Sequence, residues 1–294
     1  MKKIAVFYHC YLVNNWEYIV DSQISKLINS GLYDDTDIIH CKVISNEQSY
    51  SKFLSKIQNH NKFISERIPT NVHEYHSVTC LYNFCKENPE HYVLYFNTKG
   101  VTRPNNEPDT DWRNMADYIH IERYKRCVDL LNYSDYNVCG AELGYTITNK
   151  GNDWIWDSYI GNYWWAKATY INTLQPPILT PDRALYETWL FHENRNWRKD
   201  RETDKLIDNK HINPYCFYKS IISLTESRTP RQLYDENFIS KQEEIKTYES
   251  CVINRLNYLY QVQHKFGKNL SDKISKHYHN NHPNYIFKKY NYPM

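Results

Sequence analysis

HYVLYFNTKG, residues 91–100, decides how this chain is built. The apolar run Tyr92 to Phe96 is short and breaks into Asn97-Thr98-Lys99-Gly100, so it predicts a buried strand that ends in a polar turn. Upstream, Lys3 to Tyr8 and Ile38 to Ile44 have the same character, and Lys62 to Ser65 has a weaker form of it. Between these runs apolar residues recur at helical spacing. Trp16, Ile19, Val20, Ile24, Leu27 and Ile28 form one such stripe, closed by Gly31. Tyr50, Phe53, Leu54 and Ile57 form the next. Tyr75, Val78, Leu81, Tyr82 and Cys85 form a third, ended by Pro89. Asn71 and Glu74 have the spacing of a capping box at the start of that third helix. Strands separated by helices predict βαβ units and a mostly parallel sheet. In such sheets ligands bind beyond the carboxyl ends of the strands, and Asn97 to Gly100 lies at one of those ends.

Downstream, Met115 to Leu131 reads as a helix, Asn137 to Gly140 as a strand, Gly161 to Ala166 as an extended aromatic segment, and Ala184 to Phe191 as a helix. The character changes near residue 225. Ile245, Tyr248, Val252, Leu256, Leu259 and Val262 share one helical face among polar residues. The chain thus divides into a core, residues 1–225, and a C-terminal helical extension, residues 226–294, that packs on the core or serves as a homo-oligomer contact. A total of 294 residues suits one large domain with an appendage.

Composition excludes several classes. Basic and acidic residues are balanced at 36 and 34, so a net charge of +2 gives no general electrostatic reason to bind DNA or an anionic membrane. No run of apolar residues is long enough to span a bilayer. Met1-Lys2-Lys3 before an apolar stretch superficially resembles a secretion signal, but His9 interrupts it and no small-residue cleavage site follows; a buried first strand is expected instead. The eight cysteines are scattered without any Cys-x-x-Cys and read as small buried hydrophobes in a reducing compartment. Aromatics are abundant, with 28 Tyr, 10 Phe and 8 Trp, which suits stacking on bases and sugars and equally suits a bias toward AT-rich codons.

Five blocks in order, YHCYLVNNWEYIV, SGLYDD, YFNTKGV, GNYWWAKATYI and RALYETWL, resemble glycosyltransferase-like proteins of bacteria, phages and large DNA viruses that have a GT-A type fold. The resemblance covers roughly residues 4–192. It implies an α/β GT-A core, a nucleotide-sugar donor, an acceptor hydroxyl on a glycan or another molecule, and a cytoplasmic location (host cytoplasm for a viral protein). It also implies a nucleotide site near Tyr8 and His9, where the first strand ends.

Many GT-A enzymes carry Asp-x-Asp at the end of the fourth strand and hold there a divalent ion, Mn²⁺ or Mg²⁺, that bridges the donor diphosphate. Here that position reads Asn97-Thr98-Lys99. The leaving diphosphate gains negative charge, and a Lys99 ammonium with backbone N–H groups around Gly100 can meet it, while Asn97 bonds ribose or phosphate. A literal Asp109-Thr110-Asp111 follows in a polar loop. Asp111 can cap a helix starting near Trp112, or Glu107, Asp109 and Asp111 can hold a metal. Arg103 and Arg113 flank this loop and can each pair with a phosphate or with a surface carboxylate.

Gly161-Asn162-Tyr163-Trp164-Trp165 is a candidate sugar site. Adjacent tryptophans on a strand face opposite ways, so one can enter the core while the other walls a pocket. Gly161 allows close backbone approach and Asn162 can bond hydroxyls at the rim. Arg183 and Glu187 lie four apart on one helix face. The resemblance to inverting GT-A enzymes implies that Glu187 is the general base, with Asp182 and Glu193 as fallbacks. A plain salt bridge is the alternative. Two other functions fit the same sequence: a sugar-binding module without catalysis, and a transferase that glycosylates modified bases in phage DNA, using the basic, aromatic C-terminus (Lys276, His277, Lys288, Lys289).

Overall fold

The computed structural model describes residues 2–141, 143–148, 154–191 and 214–216. The elements in chain order are β1 (Lys3–Tyr11), α1 (Trp16–Asn29), α2 (Leu32–Asp35), β2 (Ile38–Ile44), α3 (Glu47–Ile57), β3 (Phe63–Ile68), α4 (Tyr75–Glu87) and β4 (His91–Asn97). They continue with α5 (Glu107–Asp117), α6 (Tyr124–Tyr133), β5 (Val138–Gly140), β6 (Leu143–Thr148), β7 (Trp154–Tyr159), β8 (Trp164–Lys167), α7 (Ala168–Ile171), α8 (Ala184–Thr188) and β9 (Pro214–Cys216). Seven strands form one sheet in the order β3-β2-β1-β4-β8-β5-β9, and β6 and β7 form a separate hairpin. Strands β1 to β4 pair in parallel, and β8 runs antiparallel to both β4 and β5. The expected α/β, Rossmann-like class with a mostly parallel sheet is the one observed.

The burial of each strand follows its place. β4 lies between β1 and β8, and all seven of its residues are buried, as a two-faced central strand requires. β3 stands at the edge and alternates, with Ile64 and Glu66 exposed. Successive residues of β1 feed two cores. Ile4, Val6, Tyr8 and Cys10 pack with α1 and α6; Ala5 and Phe7 pack with α4 and with residues 189–191. Cys10, Cys41, Cys80, Cys85, Cys127 and Cys139 are free thiols, and all but Cys80 are buried.

Three sequence expectations change. The helix expected near Trp112 starts earlier, at Glu107, because Asn106 caps it: its side-chain oxygen accepts the Asp109 N–H at 3.0 Å. Asp111 therefore sits inside the helix. The single helix expected over Met115 to Leu131 is the end of α5, a π-type turn at Tyr118–Glu122, and α6. Within that turn the His120 carbonyl accepts the Trp165 indole N–H at 3.0 Å. The capping box at Asn71 and Glu74 does not form. Asn71 Oδ1 accepts the His73 N–H at 3.0 Å, Glu74 is the residue just before α4, and its carboxyl points elsewhere. The expected C-terminal extension, residues 226–294, lies outside the described residues. No described helix is long and apolar enough to cross a membrane.

Candidate functional site

In a right-handed βαβ unit the helix following a strand starts at the strand's carboxyl edge. The ends of β1 and β4 and the start of α4 therefore share one edge of the sheet, and a cleft of about 620 Å³ opens there. His9 from β1, Asn97 to Arg103 after β4, and Glu74 before α4 line one part of it. Ser158 and Tyr159 at the end of β7, Gly161 and Asn162 just beyond it, and Arg183 and Glu187 at α8 line the other.

The floor is rigid. Asn97 pairs with His9 in the β1–β4 register, and the Thr98 N–H donates to the His9 carbonyl at 3.2 Å. Thr98 Oγ1 accepts the Tyr11 N–H at 3.0 Å. Behind the floor, the Gln23 amide nitrogen reaches the Asn97 carbonyl at 3.1 Å and Asp117 at 3.0 Å, and Lys26 neutralises Asp117 at 2.8 Å. Asn97 Nδ2 donates to the Gly161 carbonyl at 2.9 Å, tying the strand end to the opposite lip. Gly161 and Asn162 both have left-handed backbone, at φ 78° and 56°, which turns the chain from β7 into β8.

Lys99 leaves the floor into the cleft. Its ammonium lies 4.7 Å from the centre of the Trp112 ring, a cation–π contact. Among the described residues it makes no ion pair. Burial lowers its pKa, while Glu187 and Asp109 act in the opposite sense. Gly100 adopts φ 85°, and a Cβ there would stand 3.1 Å from the Asp109 Cβ. The turn can thus close onto α5 only through glycine. Arg113, 3% exposed, donates to the Lys99 carbonyl at 2.8 Å. It holds the turn from behind and does not line the cleft, so it is a support rather than a phosphate ligand. Arg103 lines the cleft and pairs with Asp109 at 2.7 Å.

That pairing settles what Asp-x-Asp does geometrically. Asp109 is buried beside Arg103 and is outside the cleft lining; Asp111 is one residue beyond Thr110 in the helix. One Asp109 oxygen, Oδ2, is buried without a hydrogen-bond partner. A single orphan oxygen is a poor seat for Mg²⁺ or Mn²⁺, which take several oxygen ligands. Among the described residues no group of three His, Cys, Asp or Glu side chains is placed to hold a metal ion. The residues present do not fit a divalent ion at Asp109 and Asp111.

Two aromatic expectations are corrected. Tyr8 is fully buried, stacked on Phe96 at 4.2 Å, and its hydroxyl donates to Gln23. Its ring has no free face for a base. Trp164 and Trp165 do face opposite ways, yet both sheet faces are covered and both indoles are buried. Trp164 stacks on Tyr95 at 5.1 Å, and neither tryptophan lines the cleft. His9 does line it; Nδ1 lies 2.8 Å from Ser77 Oγ, and burial brings its pKa down to about 3, so the ring is neutral.

Arg183 and Glu187 form the expected i,i+4 pair at 3.2 Å, with side chains 67% and 26% exposed. The ion pair and the cleft position coexist. Asp182 lies just before α8, and Glu193 lies outside the described residues. Sequence reasoning missed Glu74, Ser77, Ser158 and Tyr159. Of these Glu74 had a usable signal, since a carboxylate at the start of a helix following a parallel strand must lie at the ligand-binding edge.

Comparison with solved structures finds distant similarity. S. aureus TarS 1-349 matches at 11% identity and a TM-score of 0.37, with 66% of this chain and 57% of that chain covered. HddC from Yersinia pseudotuberculosis, complexed with GMP-PN, matches at 10% identity and a TM-score of 0.33, covering 58% and 79%. A 4-diphosphocytidyl-2C-methyl-D-erythritol synthase matches at 9% identity and a TM-score of 0.36, covering 79% and 95%. A search of curated proteins gives no match. Residues 7–211 match the family described as DUF8361, a domain of unknown function, and the chain belongs to that family.

Proposed function

We propose that this chain is a nucleotide-sugar-dependent glycosyltransferase of the GT-A type, moving a sugar to an acceptor hydroxyl. The observation that carries this reading is Lys99: an ammonium in a cleft at the carboxyl edge of a mostly parallel sheet, with no carboxylate in ion-pair range among the described residues. A cation held this way awaits an anion, and a diphosphate that gains charge as its glycosidic bond breaks is such an anion. Arg183, exposed to water at the rim of the cleft, adds a second positive group. Glu187 accepts the acceptor's proton as its oxygen attacks the anomeric carbon. The diphosphate departs on the opposite face, so configuration inverts and no separate acid is required. Asn162 and Gly161 form the lip against which the sugar rests.

Calorimetry with UDP, GDP, dTDP and CDP, each with Mn²⁺ and with a chelator, tests this. At least one is expected to bind, and to keep binding under chelation because Lys99 meets the charge. No heat from any of them at high protein concentration overturns the reading. Binding without transfer to any glycan or DNA acceptor would favour the non-catalytic sugar-binding module.

A further inference from the structure

The cleft holds a second carboxyl group to which the proposed transfer gives no role. Glu74 is 8% exposed, and its side chain lies on the cleft floor. Its seat is built. Asn162 Nδ2 donates to Oε2, and Asn97 Nδ2 reaches Oε1 at 3.4 Å. Neither amide can be turned over at low cost. The Trp164 indole, which can only donate, reaches Asn162 Oδ1 at 2.9 Å, so Nδ2 must face Glu74. The Gly161 carbonyl, which can only accept, takes Asn97 Nδ2. The charged groups acting on the carboxyl are Glu187 and Arg183 from α8 and Lys99 from the turn after β4. Tyr95 on β4 and Tyr186 on α8 are titratable neighbours whose own ionisation Glu74 opposes, and the neutral His9 on β1 lines the same cleft.

Two carboxyls in one cleft compete for ionisation. Glu187 is the better placed to be charged, since it is partly open to water and paired with Arg183. We propose that Glu74 is a neutral carboxylic acid at neutral pH and donates a hydrogen bond to an acceptor oxygen of the bound ligand, while Glu187 carries the negative charge. The looser contact at Oε1 makes that oxygen the site of the proton. Burial, and after it Glu187, push the Glu74 pKa up to about 8, against the opposing pull of Asn162, Arg183 and Lys99. The role depends on the transferase reading only for the identity of the ligand.

The test begins without ligand. The full chain, labelled with ¹³C at the glutamate side-chain carboxyl, is titrated from acid to alkaline pH. One carbon is expected to titrate near pH 8 and to be missing from Glu74→Gln. If every glutamate carbon in the wild type titrates below about pH 6, the acid is overturned whether or not the variant folds. Stability gives a second reading. The folded carboxyl keeps its proton above the ordinary value of 4.5, where the unfolded chain has lost it. Wild type should therefore lose thermal stability relative to Glu74→Gln as pH rises from 4.5 to about 8. A flat difference across that window overturns the proposal. With UDP, wild-type affinity should be roughly tenfold weaker at about pH 9 than at about pH 7, as the acid ionises. Glu74→Gln should weaken less, because its amide donates at both; loss of Lys99 charge would weaken both proteins alike. Equal pH dependence in the two overturns the hydrogen-bonding role. A carbon titrating near pH 8 in a protein that binds no nucleotide supports the acid and breaks the transferase reading.

Discussion

At the end of β4 the chain leaves a fully buried strand and presents Lys99 to the cleft. In the next helix, Asp109 presents its carboxylate to Arg103 and buries it. By composition the second region looks like the ligand-holding one, because two aspartates separated by one residue suggest a metal. By geometry it is the first that faces the cleft, and neither aspartate lines it. A charged side chain is freest to meet a ligand where the fold gives it no ion-pair partner; the sheet edge leaves Lys99 in that position, while the first turn of the capped helix pairs Asp109 with Arg103. The polar loop that carries Asp-x-Asp folds into α5 and pairs Asp109 with Arg103, while the turn before it lines the cleft.

The largest expected effect tests the side of the cleft that faces Lys99. Glu187→Gln keeps a hydrogen-bonding partner for Arg183 but cannot take a proton. Transfer to the native acceptor should fall about 10²–10⁴-fold, or roughly 3–5 kcal/mol of barrier, with donor affinity unchanged. Turnover within about threefold of wild type would move the base elsewhere in the cleft.

Lys99→Ala should weaken nucleotide binding about ten- to a hundredfold, since a charged hydrogen bond is worth roughly 1.5–3 kcal/mol. Asp109→Ala should leave that affinity nearly intact, because its carboxylate serves Arg103. Titration calorimetry on the two variants side by side decides the comparison; the reverse ranking would break it and make Asp109 the anchor.

Gly100→Ala attacks the hinge between the two regions. An L-residue at φ 85° costs about 1–2 kcal/mol, and the added methyl meets Asp109 and Arg113 at 3.1 and 3.2 Å. A fall in Tm of a few degrees together with weaker nucleotide binding is expected; a neutral result would mean that the turn and α5 are not coupled.

Asn106→Ala, the smallest change, removes the α5 cap at a cost of about 1 kcal/mol in chemical denaturation. Nucleotide affinity should hold, since the capped turn lies on the Asp109 side. A loss of affinity as large as that of Lys99→Ala would merge the two regions into one site.

Much of this architecture was legible because it is written locally. The continuous apolar runs of β1, β2 and β4 and the helical stripes of α1, α3 and α4 each report their own period. A parallel sheet then follows from their alternation, and its carboxyl edge locates the cleft. Asn97, Lys99 and Gly100 were placed at that edge by position in this scheme; His9 and Glu187 came from the family resemblance, and Gly161, Asn162 and Arg183 from their own local patterns, and all eight line the cleft. The hairpin of β6 and β7 was not anticipated.

Tertiary structure decided what no local pattern encodes: which side of each residue is covered. Tyr8 and the paired tryptophans belong to strands, as their sequence says. Whether a strand residue faces a pocket or a core depends on helices and strands from far along the chain, and here α1, α4 and the π-type turn cover both faces. Glu74 has the spacing of a capping residue, and only the meeting of Asn97 and Asn162, 65 positions apart in the numbering, turns its carboxyl into part of the cleft floor. Charge and period are properties of the chain; the partner that neutralises a charge, or leaves it free, is a property of the fold.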